Sequence, residues 1–569
     1  MRSRPRAHRL LAATAGGAVV AALGFAQPVQ AADITVTMAT DVVNGADGQT
    51  SLREAISGAN AAAGPTTIVL AAGTDYQLTI CGALPEDVNA DGDLDHTSGQ
   101  NLTIEGHGAT ITQTCADERI LHTIDTMATT VTINDATLTG GKGNAAAVQF
   151  GNNLVLNRTT VTGNDAGADG ALNDDPDEGG TSLTLNDSTV GPNVGNGVRI
   201  SFGTVTINHS TITTNTLSGV ALIDGPLSVS DSSVIDNGGN GVFTSGQGSG
   251  TFPFTNSISR NNGGVGVYCS NCGDLTITNS RISQNENGGV RIAIDTDEAG
   301  EKVTLTVTSS SIFDNTKAGR GAGIALTITE LADDAAPSQI VVDRSTISGN
   351  SATGADGRGG AIHAETGEVR INNSTLVSNT ASVSGGGVEP LTGDVFLQHA
   401  TIVDNSAPVG ANLNLAEGLH AFGSIVAAGA GTGDDCEVGG STTSTGYNVG
   451  GDGTCGFTGT GDQNNAADPV LAPLQDNGGP TLTRLPLSSS PAHNAVPTAA
   501  CSVLTVDQRG IARPQGTDCE AGATEINLDG SGGLPVTGTP VGGIVTVGAL
   551  LLLLGVLALV LARRRQPAR

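Results

Sequence analysis

The chain has 569 residues, of which 82 are Gly, none is Trp and only 2% are aromatic, too few large side chains to fill one thick core at that length. Several domains, or a solenoid with a thin core along its length, remain. Eight of the 25 Lys+Arg and none of the 55 Asp+Glu fall in the two ends read below as processing signals, so residues 32–537 balance at 17 − 55 = −38. That balance argues against nucleic acid as a partner and leaves divalent cations, basic surfaces or plain extracellular solvation.

At the N-terminus, Arg2, Arg4, Arg6 and Arg9 precede an apolar run over 10–25, and "VQA" at 29–31 places small residues at the −3 and −1 positions of a cleavage site before Ala32. This predicts a secretory signal peptide over 1–31 rather than a membrane anchor, because the run is short and a cleavage site follows it. Next, "TSLREAISGANAAAG" at 50–64 predicts a helix with Ser51 as N-cap and Glu54 three residues on, the spacing of a capping box. Then "DVNADGDLD" puts Asp87, Asn89, Asp91, Asp93 and Asp95 on alternate positions around Gly92. Oxygen ligands at that spacing point to a calcium loop, and calcium is the one cofactor the sequence offers. Position twelve is Ser98 rather than a bidentate Glu, so an acidic loop kept for packing is the other reading. "TSLREA" resembles the "CSLREA" motif that opens many secreted bacterial β-helix proteins, and "PEDVNADGDLDHTSGQNLTIEGHGATI" is similar to that family as well. Thr50 stands where the family has Cys, so any bridge from that Cys is absent. The resemblance implies an N-terminal helical cap and first coils over 32–125.

Over 126–423 one phrase returns. Anchored on Asn164, Asn193, Asn215, Asn237, Asn261, Asn285, Asn315, Asn350, Asn379 and Asn405, it carries Val, Ile or Leu three residues earlier, as at Ile212, Ile258 and Ile312. At −8 and −10 nine of these ten rungs carry apolar pairs such as Val205 and Ile207; the Asn261 rung has Thr251 and Pro253 instead. Spacing of two is strand alternation, and a Gly-rich turn after the Asn leads to a further pair such as Val198 and Ile200. Units of 22 to 35 residues with three short strands cannot bury their own apolar faces, so they must stack. Stacking at roughly 4.8 Å per rung sets each Val, Ile or Leu over its equivalent and each Asn in an amide ladder. The predicted fold is all-β, a right-handed parallel β-helix, that hand being preferred by parallel crossovers. A β-propeller is the alternative, but its blades need longer units and more aromatics.

The eight cysteines lie as near neighbours, Cys81 and Cys115, Cys269 and Cys272, Cys436 and Cys455, Cys501 and Cys519, which on an exported chain read as disulfides with their connectivity open. "CSNC" at 269–272 lacks the second Cys pair or His cluster that a tetrahedral metal site needs.

From about Ser424 the text changes. "SIVAAG", "GYNVGGDGTCG", "DPVLAPLQDNGGPTLTRLPLSSSPAHNA" and "DQRGIARPQGTDCEAGATE" resemble the "choice-of-anchor" module that precedes varied surface anchors, which implies such a module over 424–526; Asn494 and Thr524 depart from its usual acidic and aromatic residues. After a linker at 527–533 come Leu534, Pro535, Val536, Thr537 and Gly538, then 22 residues without a charge over 541–562, then a basic tail over 563–569 beginning Arg563, Arg564 and Arg565. The apolar stretch is long enough to span a bilayer, and the arginines hold its end on the cytoplasmic side. Pentapeptide, span and basic tail look like the sorting signal of Gram-positive surface proteins. That resemblance implies that sortase cuts after Thr537 and joins it to peptidoglycan, the membrane being occupied only before sorting; a permanent single-span anchor is the other reading.

For chemistry, the insertions 165–180, 295–301, 329–338 and 351–360 follow Asn positions and are expected as loops along one flank. Parallel β-helices also host polysaccharide lyases and hydrolases, for which His363 and Glu365, with Arg370 nearby, are the best local candidates, although His363 also reads as an ordinary turn residue. The lack of Trp and the presence of only three tyrosines, Tyr76, Tyr268 and Tyr447, weigh against a sugar cleft. The expectation is therefore a cell-surface adhesin or matrix- and glycan-binding scaffold with no catalytic residue, an unknown extracellular ligand and no nucleic acid; a wall-attached polysaccharide lyase or glycoside hydrolase is the alternative.

Overall fold

A computed structural model describes residues 32–526 apart from 83–88, 124–128, 144–145, 176–179, 247–249, 295–301, 329–337 and 502–503. The expected signal peptide, Asp87, the insertion 295–301, most of 329–338 and everything from residue 527 onward, with the linker, the sortase pentapeptide, the apolar span and the basic tail, lie outside the described residues. Among those described, no helix is long and apolar enough to cross a membrane.

The repeated phrase folds into a parallel β-solenoid of about 13 coils. In one coil, Leu227–Ser230, Ser233–Ile235 and Val242–Ser245 form three strands. Each pairs in parallel with its counterpart in the next coil, Val229 opposite Phe254, Ser233 opposite Ile258 and Val242 opposite Val267. Three faces result, called here first, second and third in chain order, and among the described residues 42 strands are joined in one sheet. A shorter ladder of Thr316–Ala318, Ser351–Thr353 and Thr380–Ala381 runs beside them. Alternation sends one side chain in two inward: Leu227, Val229, Val234 and Val242 are buried while Ser228 and Ser230 are half-exposed. Each inward Val, Ile or Leu contributes about 1.5–3 kcal/mol by leaving water.

The asparagines do form a ladder. Asn164, Asn193, Asn215, Asn237, Asn262, Asn285, Asn315, Asn350, Asn379, Asn405 and Asn412 are buried, and each Nδ2 donates to the Oδ1 of the next at 2.9–3.0 Å. The chain ends where Asn412 Nδ2 donates to Asp435 Oδ1 at 2.9 Å. At most rungs the residue before the Asn has positive φ, between 55° and 59° at Thr214, Asp236, Gln284 and Asp314, a left-handed kink that turns the chain between second and third strands. A second ladder was not foreseen: the backbone N–H of Ser188, Ser210, Ser232, Ser257, Ser280 and Ser310 each donates to the Oγ of the serine one coil on.

One rung corrects the expected register. Asn261 is exposed with φ 55° and occupies the kink, while its neighbour Asn262 enters the ladder. Shifting by one residue puts Ser259 inside and leaves Ile258 36% exposed, and it replaces Thr251 and Pro253 by the buried pair Phe252 and Phe254. The rung thus keeps apolar residues at −8 and −10 and departs at −3, where Ser259 Oγ donates to the Gly266 carbonyl. A second difference concerns 165–180: Asp165–Asp174 is a strand of the third face rather than a loop.

At the N-terminal end, the predicted helix spans Leu52–Ala61 with both halves of the capping box: Ser51 Oγ accepts from the Glu54 N–H at 3.2 Å and Glu54 accepts from the Ser51 N–H at 2.9 Å. At the other end the parallel ladder runs on through Ile425–Ala427, Cys436–Val438 and Val449–Gly450. The chain then turns irregular, with antiparallel bridges such as Val496 to Cys519, and folds back over the second face. There Val377, Val403 and Ala427 point outward yet are buried, packed with Ala492, Val496 and Ala521. Gln508 anchors this return from a buried position, its amide bonded to Thr346, Thr375 and Thr481. All four cysteine pairs are bonded: Cys81–Cys115, Cys269–Cys272, Cys436–Cys455 and Cys501–Cys519.

Candidate functional site

The acidic loop is organised by an arginine from the helix. Buried Arg53 donates to the backbone carbonyls of Asp91, Gly92 and Asp93 at 2.8–3.0 Å and grips Asp41 with two donors at 2.8 and 3.1 Å. Burial pushes the Asp41 carboxyl up, but that guanidinium and the N–H groups of Ile80 and Thr79 outweigh it and hold it below its ordinary value. Asn89 turns inward, its amide exchanging hydrogen bonds with the N–H and carbonyl of Asp95 at 2.8 and 2.6 Å. The Asn89 amide is thereby committed to the Asp95 backbone within the loop. Asp93 and Asp95 do converge, and with His122 rather than with the rest of their loop: one ligand atom from each lies within 4.8 Å of the others, all three residues buried. Asp93 Oδ2 accepts from Arg119 at 2.6 Å while its Oδ1 has no hydrogen-bond partner among the described residues. An imidazole among the donors makes this set softer than the all-oxygen shell calcium prefers.

His122 belongs to a longer feature. The third strand of each coil presents a middle residue outward between two inward ones, as Val267 and Cys269 flank Tyr268, and parallel register stacks these middle residues in a row. In the first stretch Asp95, His122, Gln149, Asn173 and Arg199 follow one another. His122 Nδ1 lies 3.4 Å from Asp95, its Nε2 lies 3.8 Å from Asp175, and Arg199 pairs with Asp169 at 3.1 Å.

The middle stretch is Ala221, Phe243, Tyr268 and Arg291. The two half-buried rings meet at 5.1 Å between centroids, and the Arg291 guanidinium sits 4.9 Å from the Tyr268 centroid. The rings are tilted by 58° to each other, and a guanidinium held over a ring leaves its edge donors to other partners.

The last stretch is Ala325, His363 and Glu389. Arg320 and Arg358 share Asp356 at 2.7 and 3.1 Å, and Arg358 also reaches Glu389 at 2.9 Å. His363 is buried here; burial, reinforced by Arg320, pushes its pKa down to about 4. Glu365 pairs with Arg320 at 3.5 Å and accepts from the Ile328 N–H, so these expected partners do share a neighbourhood. Arg370 does not join them: it lies on the first face, paired with Glu368 at 2.6 Å and stacked 4.0 Å from the Phe396 centroid. Of the three tyrosines, Tyr268 alone stands in this row; Tyr76 is buried, and Tyr447 packs edge-on to Phe422 beside the returning chain. The row was missed in the sequence although its signal was there: the residue between the apolar pair after each Gly-rich turn.

The family model described as a right handed beta helix region matches residues 177–299 and 227–407, in agreement with the parallel ladder. Among solved structures, the mannuronan C-5 epimerase AlgE4 A-module of Azotobacter vinelandii is 16% identical over 60% of this chain and 90% of that one, with a TM-score of 0.36. Pectate lyase Pel9A is 12% identical over 88% of this chain and 98% of that one, with a TM-score of 0.24. At these scores nothing about substrate or chemistry passes from those proteins to this chain. No curated protein sequence matches it.

Proposed function

We propose that the chain is an exported, wall-anchored β-helix whose third face binds an extracellular glycan or matrix ligand without turning it over. The observation that carries this reading is the outward row, which places the Phe243–Tyr268 ring pair and Arg291 side by side in a chain that is only 2% aromatic. Rings held at fixed planes on a rigid ladder offer the apolar platform that sugar rings pack on. The helix, whose buried Leu52, Ala55 and Ile56 pack toward the first strands, serves as the N-terminal cap. The row runs from the coils assigned to 32–125 through the 126–423 repeats, and the 424–526 module closes the far end.

The test is an array of glycans and matrix proteins probed with the full chain, Tyr268→Ala alongside. Retention of a ligand that the variant loses supports the reading; retention of none removes it. Anchoring has its own test: Thr537→Ala should leave the protein in membrane or medium instead of the muramidase-released wall fraction. A second reading, a polysaccharide lyase or hydrolase, is favoured by one observation, the imidazole of His122 between Asp95 and Asp175 on the same face. Incubation with pectins, alginates and hyaluronan, with and without calcium, should yield no unsaturated products or new reducing ends. Turnover abolished in His122→Gln would replace the binding reading by the enzymatic one.

A further inference from the structure

The cations of the third face are not all alike. Arg119, Arg199, Arg320 and Arg358 each have a carboxylate within 3.5 Å. Arg291 and Lys317 have none among the described residues, in a chain where acids outnumber bases 55 to 25. Arg291 Nε is shielded from water and makes no hydrogen bond among the described residues. Lys317 stands on the short ladder flanking this face, its Nζ reaching only the Asn287 amide oxygen at 3.3 Å. Asn287 and Gly288, where an added Cβ would lie 3.6 Å from Lys317 Cδ, lead directly into the strand Val290–Ile294 that carries Arg291, so the lysine side chain lies along the turn beside that strand. Burial first and the Arg291 charge second lower its pKa. Two like charges on one flank, with no carboxylate partner among the described residues, repel each other and are favoured once an anion sits between them.

Resting on the glycan-binding reading above, we infer that Arg291, Lys317 and the Phe243–Tyr268 pair form a subsite for a carboxylate-bearing sugar residue. The two cations hold the carboxylate, and the C–H patch of the sugar packs against the exposed parts of the two rings. The planar guanidinium, already oriented by Tyr268, offers its edge donors to both carboxylate oxygens, and the ammonium adds a point charge. A single carboxylate per sugar suits a two-cation site. A nucleic acid would bring a dense phosphate chain against a strongly acidic body and has no row of unpaired cations to follow.

The experiment is calorimetric titration of the full chain with oligogalacturonate, with the same oligomer after reduction of its carboxylates to alcohols, and with a short oligothymidylate. The acidic oligomer is expected to bind at least about tenfold more tightly than its reduced form, and Arg291→Gln with Lys317→Gln to erase that margin. Tyr268→Ala should weaken both oligomers alike, and near-identical melting curves establish that the variants are folded. Added salt should weaken the acidic oligomer only. Equal binding of the two oligomers, unaffected by the charge variants, overturns the subsite and leaves the glycan-binding face standing. Binding of neither overturns both, and binding of the oligothymidylate alone overturns the subsite in favour of a nucleic acid site.

Discussion

Arg53 and Arg158 each hold an aspartate through two donors, yet only one of them is out of water. The side chains of Arg53 and Asp41 are buried, whereas the Arg158 side chain is 57% exposed against Asp135. Arg53 also donates to three backbone carbonyls of the acidic loop. Arg53→Met should therefore lower unfolding free energy by about 3–5 kcal/mol in a denaturant titration, because it strands a buried carboxylate. Arg158→Gln should leave the same titration unchanged, since water and salt already screen that pair. A titratable group ends the asparagine ladder in the same fashion. Burial, joined by the nearby Asp452 and opposed by hydrogen bonds from Gly429 and Asn412, pushes Asp435 up to about 6 from 3.8. A raised carboxyl favours its protonated form, so its stabilisation is complete below the ordinary value and is lost as pH rises through about 6. Asp435→Asn keeps an acceptor for Asn412 and Gly429, and should melt above the natural chain at about pH 7 and level with it at about pH 4.

At the scale of the strand, register decides which substitutions matter. With Asn262 in the ladder, Ile258 lies outside and Val234, its apparent equivalent one coil earlier, lies inside. Ile258→Ser should leave the melting temperature within error, and Val234→Ser should lower stability by about 1–3 kcal/mol through lost apolar burial and a hydroxyl placed in the core. Equal effects would return the rung to the Asn261 register. The coil, its three strands and the ladder were legible because a stacked structure writes one inward pattern many times. The slip was not, because adjacent Asn261 and Asn262 both satisfy the motif and Ser259 replaces the usual aliphatic side chain. The Phe252 and Phe254 pair, shifted by one from Thr251 and Pro253, was the clue. The candidate site was harder to read for a related reason. Its members sit 22 to 38 residues apart, separated by insertions of varying length, so Tyr268 and Arg291 become neighbours only once the coils are laid over one another. Likewise the calcium spacing of Asp87 to Asp95 was plain as a pattern, but nothing local announces that Arg53 draws in its carbonyls or that His122 meets Asp93 and Asp95 from the next coil.

Across the whole molecule, buried ionisable groups stand where the returning chain meets the second face, and their shifts predict a docking that responds to pH. Arg513 donates to Glu525 at 2.6 Å and to Asn373 of the solenoid at 3.1 Å. Glu520 lies beside them, with His493 at 3.8 Å, and burial, with Glu525 as a second acidic neighbour, pushes its carboxyl up to about 8 from 4.5. His399 comes from the solenoid side; burial first and the Arg513 charge second hold it well below 6.5. The signs oppose. The Glu520 contribution is complete below its ordinary value and is lost as pH rises through about 8, while the His399 contribution is complete above its ordinary value and is lost on acidification. Docking should therefore weaken on the alkaline side chiefly through Glu520, and Glu520→Gln, which keeps the shape of the neutral carboxyl, should flatten that loss. Hydrogen exchange at Ala492, Val496 and Ala521, followed from about pH 6 to pH 9 and corrected for intrinsic rates, reads docking directly, while Val229 and Ile277 in the coil core report the solenoid. The natural chain should lose protection at the first set and keep it at the second; an unchanged alkaline loss in Glu520→Gln would mean that another group governs the docking, and protection lost equally at both sets would mean that module and solenoid unfold as one unit.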